Sequence, residues 1–168
     1  VVGAEATKLY NDANALLDKI IAEKWLTAKG TIGFWPANSN NKDSVSLLNE
    51  KAGPDEVVHL QFLRQQIKKA EGQPNVSLAD FIAPKDLGIQ DYIGCFCVTT
   101  GFGVDEKAKE YENQLDDYNS IMVKALADRL AEAFAEYLHS KVRKEIWGYA
   151  VEESLTNQDL IKEEYKGI

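Results

Sequence analysis

The chain has 168 residues, 45% of them hydrophobic and 27% charged, with a formal net charge of −8; that is enough for one domain with its own core. The acidic balance argues against a nucleic-acid backbone or an anionic membrane surface as partner, because both recruit clustered Lys and Arg. No apolar run approaches the ~20 residues of a membrane span, and the opening residues do not read as a basic-then-apolar leader.

Residues 4–25 predict a first helix. Leu9, Ala13, Leu16, Leu17, Ile20 and Ile21 recur at three and four, which draws one apolar stripe, and Lys29-Gly30 is the expected stop. Thr31 to Trp35 reads as a strand closed by Pro36, followed by a polar turn over 37–44. Val45 to Leu48 is a short strand, Glu50 to Asp55 a turn through Gly53-Pro54, and Val57 to Leu63 another strand, together a β-meander. Arg64 to Gly72 reads as a short helical turn and Leu78 to Ile82 as a short apolar segment ending in a loop at Ala83-Pro84-Lys85.

Asp91 to Thr99 is the strongest strand signal. Its apolar residues do not alternate cleanly with polar ones, which predicts that both faces are covered. Within it, Cys95 and Cys97 are two apart, a spacing unsuited to a mutual disulfide and too poor in ligands for a metal. They read as small buried thiols, and reduced thiols fit a cytoplasmic protein. From about 105 to 147 the chain reads as helical, with no Pro or Gly. That length predicts a break near Asn113–Asp117. Gly148 ends the run, and Thr156 is the expected cap of a last short helix. A helix, then strands, then helices predicts an α+β fold with a curved, mainly antiparallel sheet.

The long helical region carries three rows at spacing four. Met122, Leu126, Leu130, Phe134, Leu138 and Val142 form the apolar row. Ala127, Ala131 and Ala135 form a small one. Asp128, Glu132 and Glu136 form an acidic one, in which like charges four apart oppose the helix slightly. By pattern alone the acidic row is a solvated face or a cleft for a cation. Asp116-Asp117-Tyr118 reads as an N-cap cluster, Trp25, Trp35 and Trp147 as core anchors, His59 as a core or edge histidine and His139 as a surface one. No Ser/His/Asp set, phosphate-binding Gly loop or zinc spacing is present, so no catalytic and no metal residue is assigned.

Six stretches in order carry a resemblance: LYNDANALLDKI at 9–20, GFWPAN at 33–38, LRQQ at 63–66, LADFIAPKDLGIQDYIGCFCVT at 78–99, DDYNSIMVKALADRLAEAFAEYLHSKVRKEIWGYA at 116–150 and LIKEEYKGI at 160–168. Together they resemble the activation domain of cobalamin-dependent methionine synthase. The resemblance implies a domain that binds S-adenosylmethionine (AdoMet) and docks on a cobalamin-binding module of the same polypeptide. There cob(II)alamin would be reductively methylated, with an electron from flavodoxin or an equivalent donor.

The parent would be a methyltransferase of methionine biosynthesis, its zinc held outside this chain. Glu132 and Glu163 match acidic positions near AdoMet, and Asp128 a position facing the cobalamin module, while Leu115 departs from the histidine often found before the Asp-Asp-Tyr. The family's main AdoMet-binding loop, Arg-Pro-Ala-Pro-Gly-Tyr, would follow Ile168, and an upstream AdoMet-contacting aspartate would precede Val1. The expectation is therefore that 1–168 is an internal part of one activation domain, inactive by itself. A free-standing accessory domain that reactivates a separate corrinoid protein without turnover of its own is the alternative.

Overall fold

The computed structural model describes residues 2–40, 42–48 and 58–167. The chain divides into two compact units, one of Val1–Thr31 with Cys97–Ile168 and one of Ile32–Phe96. Four strands, β1 (Thr27–Ser39), β2 (Ser44–Leu47), β3 (Val58–Gln61) and β4 (Asp91–Phe102), form one sheet in the order β3-β2-β1-β4. The β1–β2 and β2–β3 pairs are antiparallel, with Asn38 opposite Ser46 and Val45 opposite Leu60. Helices α1 (Val2–Glu23), α2 (Val104–Asn113), α3 (Asp117–Lys141) and α4 (Asn157–Ile161) complete the α+β fold.

In the second unit Ala37, Val45 and Ala79 form a fully buried cluster with Leu47, Phe62, Ile82 and Ile93 against it. The segment between β3 and β4 is not the helical turn expected at Arg64 to Gly72. It is an irregular loop pinned by the Arg64 guanidinium, whose Nε donates to Asp43 Oδ1 at 2.9 Å and whose two Nη atoms donate to the Asp80 carboxylate at 2.7 Å each. Arg64 also reaches the Asn75 carbonyl at 2.8 Å. A guanidinium fork can satisfy several partners that a short polar helix would leave to water. The bidentate hydrogen bond from Arg64 holds the Asp80 carboxyl down to about 2. Leu78–Phe81 is a 3₁₀ turn closed by a capping box between Ser77 and Asp80.

In the first unit Leu16 and Ile20 of α1 pack with Ala108 of α2 and Met122 and Val123 of α3. The helical region breaks where expected. The Leu115 N–H donates to the Glu112 carbonyl and the Asp116 N–H to the Tyr111 carbonyl, both at 3.0 Å. The Asp116 carboxylate then caps α3 by accepting from the Asn119 N–H at 3.0 Å. The apolar row of α3 faces inward, with Met122, Leu138 and Val142 buried and Leu126, Leu130 and Phe134 half-buried, while the acidic row is exposed.

Several expectations are overturned. Helix α1 ends at Glu23, not at Lys29-Gly30, because Lys24 takes a left-handed φ of 54° and the Trp25 N–H closes back on the Ile20 carbonyl at 3.2 Å. Gly30 lies inside β1, where a Cβ would stand 3.0 Å from the Phe134 ring. Strand β1 continues through Pro36, whose carbonyl accepts from the Leu48 N–H at 2.9 Å, and runs on to Ser39 where a turn was expected. Strand β4 is not covered on both faces: Tyr92, Phe96 and Phe102 are 44–49% exposed and both cysteines are exposed and free. β4 is the last strand of the sheet order, and because side chains alternate along a strand, Tyr92, Phe96 and Phe102 expose one of its faces and Cys95 and Cys97 the other. Trp35 and Trp147 are 40% and 43% exposed, so among the tryptophans only Trp25 packs against a core cluster. The turn expected at Glu50–Asp55 lies outside the described residues. No helix among the described residues is long and apolar enough to cross a membrane.

Candidate functional site

Helix α3 does not stop cleanly at Lys141. It widens into one turn of π-helix, Val142–Ile146, in which the Trp147 N–H donates to the Val142 carbonyl at 2.9 Å. The extra residue in that turn aims Arg143 inward, and π-bulges of this kind recur at functional sites. The Arg143 side chain is 2% exposed and that of Glu153 7%. Its Nε and Nη2 donate to the two carboxylate oxygens of Glu153 at 2.9 and 2.6 Å. The remaining Nη1 lies 2.9 Å from His139 Nδ1, and the guanidinium stacks on Tyr165 with its Cζ 4.6 Å from the ring centroid. His139 meets the same Tyr165 ring edge-on at 5.1 Å. The hydrogen bonds from Arg143 hold the Glu153 carboxyl below its ordinary range, and burial lowers the His139 pKa, with Arg143 adding to the effect.

After Glu153 the chain re-forms as α4. Thr156 caps it, accepting from the Asp159 N–H, while the Asp159 carboxylate accepts from the Thr156 N–H at 2.8 Å. The helix closes in a Schellman arrangement. The Glu163 N–H donates to the Leu160 carbonyl and the Glu164 N–H to the Asp159 carbonyl, both at 3.0 Å, with Glu163 left-handed at φ 58°. That geometry turns Glu163 and Tyr165 back toward α3. Between them lies a cavity of about 480 Å³, lined by Glu136, His139 and Arg143 on one side and by Leu160, Ile161, Glu163 and Tyr165 on the other. Its volume falls in the roughly 300–1,000 Å³ of small-molecule sites.

Of the residues singled out from sequence, Glu163 lines this cavity. Glu132 does not. It is exposed one helical turn before Glu136, paired at 2.8 Å with Arg129. Asp128 is exposed one turn further toward the N-terminus of α3. His139, expected on the surface, belongs to the buried Arg143 cluster. The i,i+4 spacing of His139 and Arg143 at the end of the apolar row was the available signal for that pairing. Glu153 carried none, because it lies ten positions after Arg143, beyond the end of the π-turn, at no helical or strand spacing from it. His59 is an edge histidine, its Nδ1 3.1 Å from Ser46 Oγ. Among the described residues no cluster of three or more His, Cys, Asp or Glu could hold a metal ion.

The chain thus carries, on an α+β scaffold, a cavity lined by acidic, basic and apolar side chains between the end of a long helix and a returning C-terminal segment. The whole chain, residues 1–168, matches the family described as the vitamin B12 dependent methionine synthase activation domain, and it belongs to that family. Among solved structures it is similar to the MetH reactivation domain, whose crystal structure is bound to AdoHcy. The two share 52% sequence identity with a TM-score of 0.88, and the match covers 100% of this chain and 51% of that one. The chain therefore spans about half the length of that solved domain.

Proposed function

We propose that the chain is the inner part of a methionine synthase activation domain and that its cavity contributes the seat of AdoMet. The observation that carries this reading is the charge of the cavity. Glu136 and Glu163 face it as carboxylates, while Arg143, the one Lys or Arg among the described lining residues, is committed to Glu153. An anionic seat that is open to water at Glu136, Ile161 and Glu163 and half-buried at Leu160 and Tyr165 suits a sulfonium cation joined to an apolar heterocycle. A 52%-identical reactivation domain bound to AdoHcy, the demethylated product of the same ligand, supports it.

In this reading Glu163 binds AdoMet directly. Glu132, one turn from Glu136, extends the acidic surface by which the ligand is held, and Asp128 sits on the surface that meets the cobalamin module. When bound next to that module, AdoMet supplies the methyl group for reductive methylation of cob(II)alamin, the electron coming from flavodoxin or an equivalent donor. The chain's own residues bind and orient the ligand, and none of them exchanges a proton or electron with it.

Isothermal titration with AdoMet tests the seat. Glu163→Gln and Glu136→Gln should each weaken binding by about tenfold, the worth of one charge-assisted contact, and wild-type affinity in both would sink the assignment. Glu132→Lys should abolish the response of the parent enzyme to AdoMet while leaving the circular-dichroism spectrum unchanged. The 168-residue chain should bind AdoMet far more weakly than a longer polypeptide carrying the flanking segments that the resemblance implies. Equal affinities would refute the view of the chain as an internal part.

A further inference from the structure

We propose that His139 is a ligand-binding residue of the cavity, a neutral hydrogen-bond donor whose tautomer is fixed by Arg143, and that it reads an uncharged acceptor on the bound molecule. The argument starts from a donor count. A guanidinium carries only N–H donors and accepts nothing. The 2.9 Å contact from Arg143 Nη1 to His139 Nδ1 therefore makes Nδ1 the acceptor, and the ring proton sits on Nε2. Arg143 cannot turn away, because its other nitrogens hold Glu153 and its face lies on Tyr165. Among the described residues no protein group accepts from His139 Nε2, although the residue lines the cavity. A fixed N–H with no protein acceptor, on a half-buried residue that lines a cavity, is an open recognition group.

The acceptor it would read follows from its surroundings. Glu136 from α3 and Glu163 from the segment after α4 face the same cavity, so a carboxylate of the ligand is disfavoured next to it. A ring nitrogen of a purine or a sugar oxygen carries no such penalty. This inference rests on the cavity being the AdoMet seat, and it assigns the adenosine half of the ligand to the side of the cavity where His139 stands.

Two measurements separate it from that underlying reading. Long-range ¹H–¹⁵N correlation spectra of the imidazoles should show the Nε2–H tautomer for His139 in the free protein at pH 7, and the Nδ1–H form would overturn the proposal outright. AdoMet titrations should then show His139→Phe weakened about tenfold, near the worth of one neutral hydrogen bond, and His139→Gln, which keeps a donor near the Nε2 position, within about threefold of wild type. Equal losses in both variants would mean that the residue only packs, and no loss in His139→Phe would mean that it does not touch the ligand. A wild-type polypeptide carrying the flanking segments that binds no AdoMet, with the tautomer as stated, would sink the functional reading and the ligand role of His139 with it. Glu163→Gln losing affinity while His139→Phe does not would sink the His139 role alone.

Discussion

Among the described residues, three other than glycine have left-handed backbones, Lys24, Leu115 and Glu163, and each closes a helix at the position where glycine is the usual choice. The conformation costs a side-chain-bearing residue about 1–2 kcal/mol, and glycine there recovers part of it, less about 0.4–1 kcal/mol for its freer unfolded chain. The same substitution at two of these positions separates stability from binding. Leu115 is 92% exposed and is not among the residues that line the Glu136–Glu163 cavity, so Leu115→Gly should raise stability by about 0.5 kcal/mol and leave AdoMet affinity unchanged. Glu163→Gly should stabilise by a similar amount and weaken AdoMet binding, because the carboxylate that lines the cavity is gone. Urea unfolding and calorimetric titration on the two variants would check this. A Glu163→Gly protein that is both less stable and fully able to bind would show that Glu163 holds the fold and not the ligand.

At the scale of the element, the Arg143–Glu153 pair fastens the chain after the π-turn to the end of α3. With both side chains over nine-tenths buried, deleting one partner strands a charge, and Glu153→Leu should cost about 3–5 kcal/mol in chemical unfolding. Arg143→Met combined with Glu153→Leu should recover most of that loss while still binding AdoMet poorly, since His139 then loses its fixed tautomer. The pair also sets an acid limb. The folded Glu153 carboxyl lies below its ordinary value, so the unfolded chain binds the extra proton first. The stabilisation is complete above the ordinary carboxylate range and is lost as pH falls through the depressed folded value. Glu153→Leu should flatten that part of the stability-versus-pH curve.

Elements of this kind mark where sequence reading succeeded and where it stopped. The apolar row from Met122 to Val142 and the caps at Asp116 and Thr156 were legible because spacing and short polar side chains act locally. The end of α1 was not, because Gly30 looked like the stop while Lys24 closed the helix at an energetic cost no residue type advertises. The exposure of the Cys95 and Cys97 thiols is hidden from the sequence for a different reason. Strand composition reports β-propensity, but burial depends on what packs against the strand.

Over the whole molecule, the acidic row could be read from sequence as a line of three carboxylates, but not which of its members meets a cavity. The segment carrying Glu153, Glu163 and Tyr165 decides that, and its path is set by one buried guanidinium. The surplus of acid, 27 Asp and Glu against 19 Lys and Arg, gives the molecule a net negative charge, which favours cations over neutral molecules. AdoMet and AdoHcy differ by one methyl group and one positive charge, so their affinity ratio isolates that preference. At low ionic strength the sulfonium should be preferred. At about 0.5 M salt the Debye length shrinks to a few ångströms, and the part of the preference that comes from the molecule at large should vanish. The part from carboxylates in direct reach of the cavity should persist. The AdoMet-to-AdoHcy ratio is therefore expected to fall severalfold between about 0.01 and 0.5 M salt and then level off above one. In Glu163→Gln the plateau should drop toward one while the salt-dependent part survives. A wild-type ratio insensitive to salt, or a plateau unmoved by Glu163→Gln, would mean that charge does not choose the ligand in this domain.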